Sequence, residues 1–442
     1  MAQTNGTVTI VSVKGYQIFD SRNNPTVAVK MQLSDGKSSW FKVPSGASTG
    51  EKEALELRDG GSRFRGKGVS KAVNNVNGKI APAVKGLAVK GKTQKEFDEL
   101  LIRLDGTENK SNLGANAILA VSGAFARAQA HAEGVPLWKH FASPGNLKMP
   151  VPQFNVLNAG NHADTGFEVQ ETLIIPAGAK SFAEAMEMGT NVWYALKSSL
   201  AKAGHTTGKG DEGGFVNPFK TIEQTSEAVL AAIQGAGYAP GKDIWLAFDG
   251  AFSEIFGKDL KEKKGNANDL TYHLNGKRLT SEEVGDFWKE CVSKYPVISI
   301  EDGMSENDKQ GWRALTKMLG NKVQLVLDDY ICTNPVILKQ AIADGIGNSS
   351  LIKLNQIGTV TETLNTMEMT RRDGRSNAIS HRSGETEDDF LGHLAMHANA
   401  DQIKCGSSGS ERNAKYNALL IIEAETGAGY RGLGAFPKSV KR

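Results

Sequence analysis

The chain has 442 residues, 39% of them hydrophobic and 23% charged, a composition of ordinary globular proteins; one α/β barrel takes up roughly 250 residues, so two units are expected. Its 52 basic and 49 acidic residues leave a net charge of only +3 and are spread along the whole length, which excludes an electrostatic nucleic-acid footprint. Three widely spaced cysteines, Cys291, Cys332 and Cys405, exclude a disulfide scaffold and suit a reducing compartment.

The opening MAQTNGTVTIVSVKG lacks the basic segment and apolar core of a secretory leader, and no apolar run reaches the roughly 18 residues of a spanning helix. A cytoplasmic protein that requires no membrane is expected. Strand periodicity comes first: Val27, Val29, Met31 and Leu33 alternate with Ala28, Lys30 and Gln32. With residues 7 to 14 and 38 to 44, and with turns at Asn24-Pro25 and Asp35-Gly36, this predicts a three-stranded antiparallel meander.

Helical spacing follows. Val69, Val73, Val76 and Ile80 fall on one helical face, and Phe97, Leu100, Leu101 and Leu104 do so behind a Thr93-x-x-Glu96 capping box. An Ala-rich helix is predicted from about Ala115 to Glu133. Strands and then helices make an α+β unit, assigned to residues 1–148, with an α/β barrel over 149–442.

Six short apolar runs in the second unit end in a polar residue: IWLAFD at Asp249, VISIED at Glu301, VQLVLDD at Asp328, SLIKLN at Lys353, NAISHRS at His381 and QIKCGS at Lys404. From Glu301 the steps are 27, 25, 28 and 23 residues, close to what one strand, one helix and two short loops consume. In a barrel of βα units the strands' C-terminal ends form one mouth, so the six residues are expected to converge there. One acidic residue after a strand is also an ordinary helix cap. Six polar residues in succession are not explained that way. The charged stretch Lys258 to Asp269 reads as a loop insertion.

Asp249, Glu301 and Asp328 supply three carboxylates from consecutive strand ends, which suits Mg2+, a hard cation that prefers oxygen ligands. Beside a metal and partly buried, the ammonium forms of Lys353 and Lys404 are expected to be disfavoured, so that one can act as a base near neutral pH. A lysine base facing a metal-bound carboxylate suits abstraction of the weakly acidic proton next to that carboxylate. Ser45-Gly46-Ala47-Ser48-Thr49-Gly50 has the small residues of a mobile lid, and Gly210-Asp211-Glu212-Gly213-Gly214 carries an acidic pair where backbone can approach a ligand, although either stretch alone also reads as an ordinary surface loop. Ser380-His381-Arg382-Ser383-Gly384-Glu385 reads as a phosphate or carboxylate clamp or, equally, as the solvated start of a helix.

These stretches, together with SRNNPTV, VPSGASTGEKEALELRDG, SNLGANAILAVS, NHAD, QET, GDEGGF, DDYICTNP, LIKLNQIGTVTET, SHRSGETED and SERNAKYN, resemble the enolase family over nearly the whole chain. The resemblance implies an N-terminal capping domain followed by a catalytic, enolase-type (β/α)8 TIM-like barrel. It implies a glycolytic and gluconeogenic lyase, phosphopyruvate hydratase, which reversibly dehydrates 2-phosphoglycerate to phosphoenolpyruvate with two Mg2+ per site. Asp249, Glu301 and Asp328 match the ligands of the first ion, and Ser48 matches a ligand of the second, which joins with substrate. Lys353 matches the base at C2, while Glu212, with Glu171 beside it, matches the acid side at the C3 hydroxyl. Lys404 matches the support of the substrate carboxylate, and Arg382 and Ser383 match the phosphate contacts. His162, Gln170 and His381 match the remaining groups around the substrate. A homodimer, in some members assembling further, is also implied.

The chain departs from the family pattern at several loops. Asn23 replaces glycine in SRGNPTV, Gly303 replaces the proline after Ile-Glu-Asp, and Ala159, Asn161 and Asp164 alter Gly-Gly-x-His-Ala-Gly. Val216-Asn217-Pro218 changes the end of GDEGGFAPN, and Gly409 takes the place of an arginine.

Overall fold

Residues Ile10–Phe19 (β1), Pro25–Leu33 (β2) and Ser38–Lys42 (β3) form the antiparallel meander in the order β1-β2-β3. The first strand extends beyond the predicted residue 14 because Gly15 to Phe19 pair with Val29 to Pro25. The turn between them is tied by Asp20, whose Oδ1 accepts from the amides of Arg22 at 2.9 Å and Asn24 at 2.8 Å. Val27, Val29, Met31 and Phe41 are buried together with residues of the helix Ala115–Glu133 in one core.

The capping box at Thr93 is complete: its hydroxyl accepts from Glu96 N at 3.2 Å, and Glu96 Oε2 accepts from Thr93 N at 2.8 Å. The helix Gln94–Asp105 that it starts ends on Gly106 in the left-handed region. The valine-rich face around Val76 is helical from Ser70 to Val84, with a π turn over Val76–Ile80.

The second unit closes into an eight-stranded barrel of Val151–Asn158 (β4), Glu171–Ile175 (β5), Trp245–Asp249 (β6), Val297–Glu301 (β7), Gln324–Leu327 (β8), Ser349–Ile352 (β9), Ser376–Ser380 (β10) and Gln402–Lys404 (β11). Neighbours pair in chain order and β11 closes on β4. All pairings are parallel except those of β5, which runs antiparallel to both β4 and β6. At the end away from the mouth Val151, Ile175 and Ile298 pack against Phe436. The interior carries a buried polar ladder, in which Gln402 Nε2 donates to Gln324 Oε1 at 2.6 Å and Gln324 Nε2 donates to Ser299 Oγ at 3.1 Å.

The computed structural model describes residues 7–47, 50–142, 147–163, 165–257, 270–397 and 400–440. Ser48, Asp164 and the stretch Lys258 to Asp269 lie outside the described residues. Among the described residues no helix is long and apolar enough to cross a membrane, and Cys291, Cys332 and Cys405 are free and buried.

Candidate active site

The six strand ends meet as expected. Asp249, Glu301 and Lys404 are the last residues of β6, β7 and β11, while Asp328, Lys353 and His381 directly follow β8, β9 and β10. Asp249 and Glu301 are register partners, as are Ser380 and Lys404, so each pair is separated by about one strand spacing of ~4.8 Å. Glu171 reaches the same mouth by the opposite route. It is the first residue of β5, and because that strand is reversed, its register partners are Asn158 at the end of β4 and Asp249 at the end of β6.

Both lysines are held by carboxylates. Lys404 Nζ lies 3.0 Å from Glu171, 3.1 Å from Asp249 and 2.9 Å from Glu301, while Lys353 Nζ donates to Asp328 at 2.5 Å. Burial alone disfavours their charged forms, but Asp249, Glu171 and Glu301 outweigh it at Lys404, and Asp328 does so at Lys353, so both are raised above the ordinary lysine value. The strand-end carboxylates therefore favour the ammonium form of both lysines, opposite to the effect expected of a cation bound among those same carboxylates.

The acid pair is differentiated by its neighbours. Burial, reinforced by the Glu212 charge, pushes Glu171 up to about 7. Glu212 is equally buried, but His381 and His162 hold it well below the usual carboxylate range. His381 Nε2 lies 3.0 Å from Glu212 Oε2, Asn155 Nδ2 donates to that oxygen at 3.2 Å, and His162 Nδ1 is 3.0 Å from Glu171. Within the pair, the surroundings favour the protonated form at Glu171 and the carboxylate at Glu212. The loop carrying Glu212 sits tight against the mouth: a Cβ on Gly210 would come within 2.7 Å of the His162 carbonyl.

Arg382 and Ser383 form the rim. Arg382 makes a bidentate pair with Glu53, both contacts at 3.1 Å, and donates to Asn355 Oδ1 at 3.0 Å. The Ser383 hydroxyl accepts from Ala47 N at 2.7 Å, and Ser45 and Gly384 exchange backbone bonds, so the base of the expected lid is joined to the clamp. One small cavity is lined by His162, Gln170, Glu171, Glu212, Asp249, Asp328, Lys353, His381, Arg382, Ser383 and Lys404. Glu301 stands behind this lining, bound to Lys404.

Two acids of this cavity had no role in the sequence reading. Asp302, with a left-handed φ of 42°, accepts from the amides of Asp328 at 3.1 Å and Asp329 at 3.0 Å and thereby orients the Asp328 turn. The doublets Glu301-Asp302 and Asp328-Asp329 were the available signal. Among the described residues, two acidic groupings bring their ligand atoms within 4.8 Å of one another: His162 with Glu171 and Glu212, and Asp302 with Asp328 and Asp329. The trio Asp249, Glu301 and Asp328 is not gathered so closely, because Lys404 bridges Asp249 and Glu301 while Lys353 is on Asp328.

The donor set nevertheless fits a hard divalent cation, being all carboxylate and carrying more negative charge than the lysines offset. Burial and Asp249 push Glu301 well above its ordinary value, burial and Asp329 do the same to Asp302, and burial and Asp328 to Asp329.

The enolase N-terminal domain matches residues 10–141, and the enolase C-terminal TIM barrel domain matches residues 146–437. The chain belongs to the enolase family.

Within that family, three of its departures have a local physical account. Asn23 takes over a glycine position at φ 57°, a left-handed conformation that asparagine tolerates better than most residues. Asn217 is integrated, donating to Thr225 Oγ1 at 3.2 Å while its own side chain accepts from Phe219 N at 3.0 Å. Gly409 adopts φ 141° immediately before the helix Ser410–Thr426, in the region that favours glycine, so the usual arginine would be strained in this backbone.

Proposed function

We propose that this enolase-family chain catalyses the reversible, magnesium-dependent dehydration of 2-phosphoglycerate to phosphoenolpyruvate. The observation that carries the reading is that a lysine base candidate, a differentiated carboxyl pair and an arginine-serine clamp line one buried cavity. A lysine base with one or two Mg2+ ions is the established pattern of enolase-superfamily sites.

In this reading Lys353 removes the C2 proton and Lys404 supports the substrate carboxylate. Lys353 is held as an ammonium ion by Asp328, so its service as a base requires Asp328 to be engaged elsewhere. The Glu171–Glu212 pair supplies a proton to the departing C3 hydroxyl, which leaves as water, and the surroundings favour the protonated form at Glu171 over Glu212. Arg382 and Ser383 bind the phosphate, and His162, Gln170 and His381 shape the cavity around the reacting carbons. Asp249, Glu301 and Asp328 would hold the first Mg2+ and Ser48 would join the second. Bound there, the ions supply positive charge opposite the carboxylate as negative charge builds on it. The division near residue 148, a homodimer and a cytoplasmic, glycolytic role belong to the same proposal.

The test is the rise in absorbance from phosphoenolpyruvate on adding 2-phosphoglycerate, with and without Mg2+, for the wild type beside Lys353→Ala. Magnesium-dependent turnover that disappears in the variant supports the reading. A folded wild type without turnover overturns it and favours another carboxylate substrate or a non-catalytic binding role.

A further inference from the structure

Arg412 is fully buried near the start of the helix Ser410–Thr426, outside the lining of the cavity. Its guanidinium joins segments far apart in sequence. Nη2 donates to the carbonyls of Asp211 at 2.8 Å and Ser383 at 2.7 Å, and Nη1 donates to the Arg382 carbonyl at 2.5 Å. The Glu212 loop and the His381 to Ser383 clamp are therefore held to one another by a single side chain.

Its fourth contact has a chemical consequence. Arg412 Nη1 lies 2.6 Å from His381 Nδ1, with both side chains buried. A guanidinium has five N–H donors and no acceptor, so a hydrogen bond at this distance needs a lone pair on Nδ1. An imidazolium carries N–H on both nitrogens and has no lone pair to offer. His381 must then be neutral, with its only ring proton on Nε2, the nitrogen 3.0 Å from Glu212 Oε2.

We propose that Arg412 is a positioning residue which fixes His381 as the neutral Nε2–H tautomer, so that His381 meets Glu212 as a donor and Glu212 meets His381 as a carboxylate. The charged groups acting on the ring are Glu212 from the glycine-rich loop, Arg412 from the helix and Glu385 from the clamp loop. Burial moves His381 down to about 4 against the pull of Glu212, in agreement with a neutral ring. The tautomer is a property of the substrate-free chain. Only its use in orienting the acid pair rests on the function proposed above.

The experiment is nitrogen-15 NMR of the full chain labelled at its eight histidines, with His381→Asn used to assign the His381 signals. The expected result is an unprotonated Nδ1 and a protonated Nε2 from about pH 6 to about pH 8, a range in which an ordinary histidine titrates. In Arg412→Met the fixed pattern is expected to be lost, with His381 gaining a proton on Nδ1 at the low end of that range. Arg412→Lys, which keeps a donor for Nδ1 but not the fork to the carbonyls, is expected to keep the wild-type pattern.

A doubly protonated or Nδ1–H His381 in the wild type overturns the proposal, and so does an unchanged pattern in a folded Arg412→Met. If Arg412→Met does not fold, the wild-type spectrum decides. None of these readings needs turnover, so a chain inactive on 2-phosphoglycerate would overturn the proposed function and leave this inference intact.

Discussion

Glu53 grips Arg382 with both carboxylate oxygens at 3.1 Å. A bidentate carboxylate is the geometry in which an arginine receives a phosphate, so the clamp of the free chain already holds an internal anion. Glu53 also accepts from Gly50 N at 3.2 Å, which links that anion to the base of the lid.

A phosphate that reaches Arg382 has to displace Glu53 or share the guanidinium with it. Glu53→Gln, which keeps the shape and removes the charge, is expected to bind inorganic phosphate more tightly by ~5-fold, equivalent to about 1 kcal/mol. Titration calorimetry in the absence of Mg2+ measures it. Equal or weaker binding would mean that Glu53 assists the clamp instead of competing for it.

The carboxylates at the mouth lead to a second expectation. A cation that binds them only in the folded chain stabilises it, by about 2.7 kcal/mol at a hundred times its Kd. Mg2+ is expected to raise the thermal midpoint of the wild type in scanning calorimetry. Glu301→Gln and Asp328→Asn are expected to lose most of that rise. A midpoint that responds equally in all three proteins would place the binding elsewhere.

Strand-end spacing made Glu301, Asp328, Lys353, His381 and Lys404 legible in the sequence, since a βα repeat brings every strand's C-terminal residue to one mouth. That rule cannot find Glu171, which begins its strand and reaches the mouth only because β5 is reversed. The charge state of Lys404 was hidden for a different reason: three carboxylates on it come from β5, β6 and β7, and only folding brings them together. Arg412 and Glu53 act through contacts across more than 30 and more than 300 residues of chain respectively, beyond any local pattern.

Gly303 offers a test of packing next to the site. A Cβ there would lie 2.9 Å from Ile300 Cγ2 and 3.1 Å from Trp288 Nε1, whose N–H already donates to the Gly303 carbonyl at 2.9 Å. Gly303→Ala is expected to lower stability by about 1–3 kcal/mol, the usual cost of overpacking. The urea midpoint reads it, and an unchanged midpoint would mean that this turn relaxes freely.

Asp98 links the two units and makes stability depend on pH. It lies fully buried in the helix Gln94–Asp105, where Oδ1 accepts from Gln94 Nε2 at 3.0 Å and Oδ2 from Thr361 N at 2.9 Å, in the first turn of the helix Val360–Arg372. Burial pushes its carboxyl up from 3.8 to about 6, against the hydrogen bonds from Ser122 and Thr361. Between those values the folded chain retains a proton that the unfolded chain has released. The contribution of this group is therefore fully present below the unfolded value and is lost as pH rises through the folded one, a change of about 3 kcal/mol. Asp98→Asn cannot ionise. Its urea midpoint is expected to gain on that of the wild type as pH is raised from about 4 to about 7, on the scale of that ~3 kcal/mol. A gap between the two proteins that stays constant across this range would show that the buried carboxyl is ionised throughout, and that the bond to Thr361 outweighs its burial.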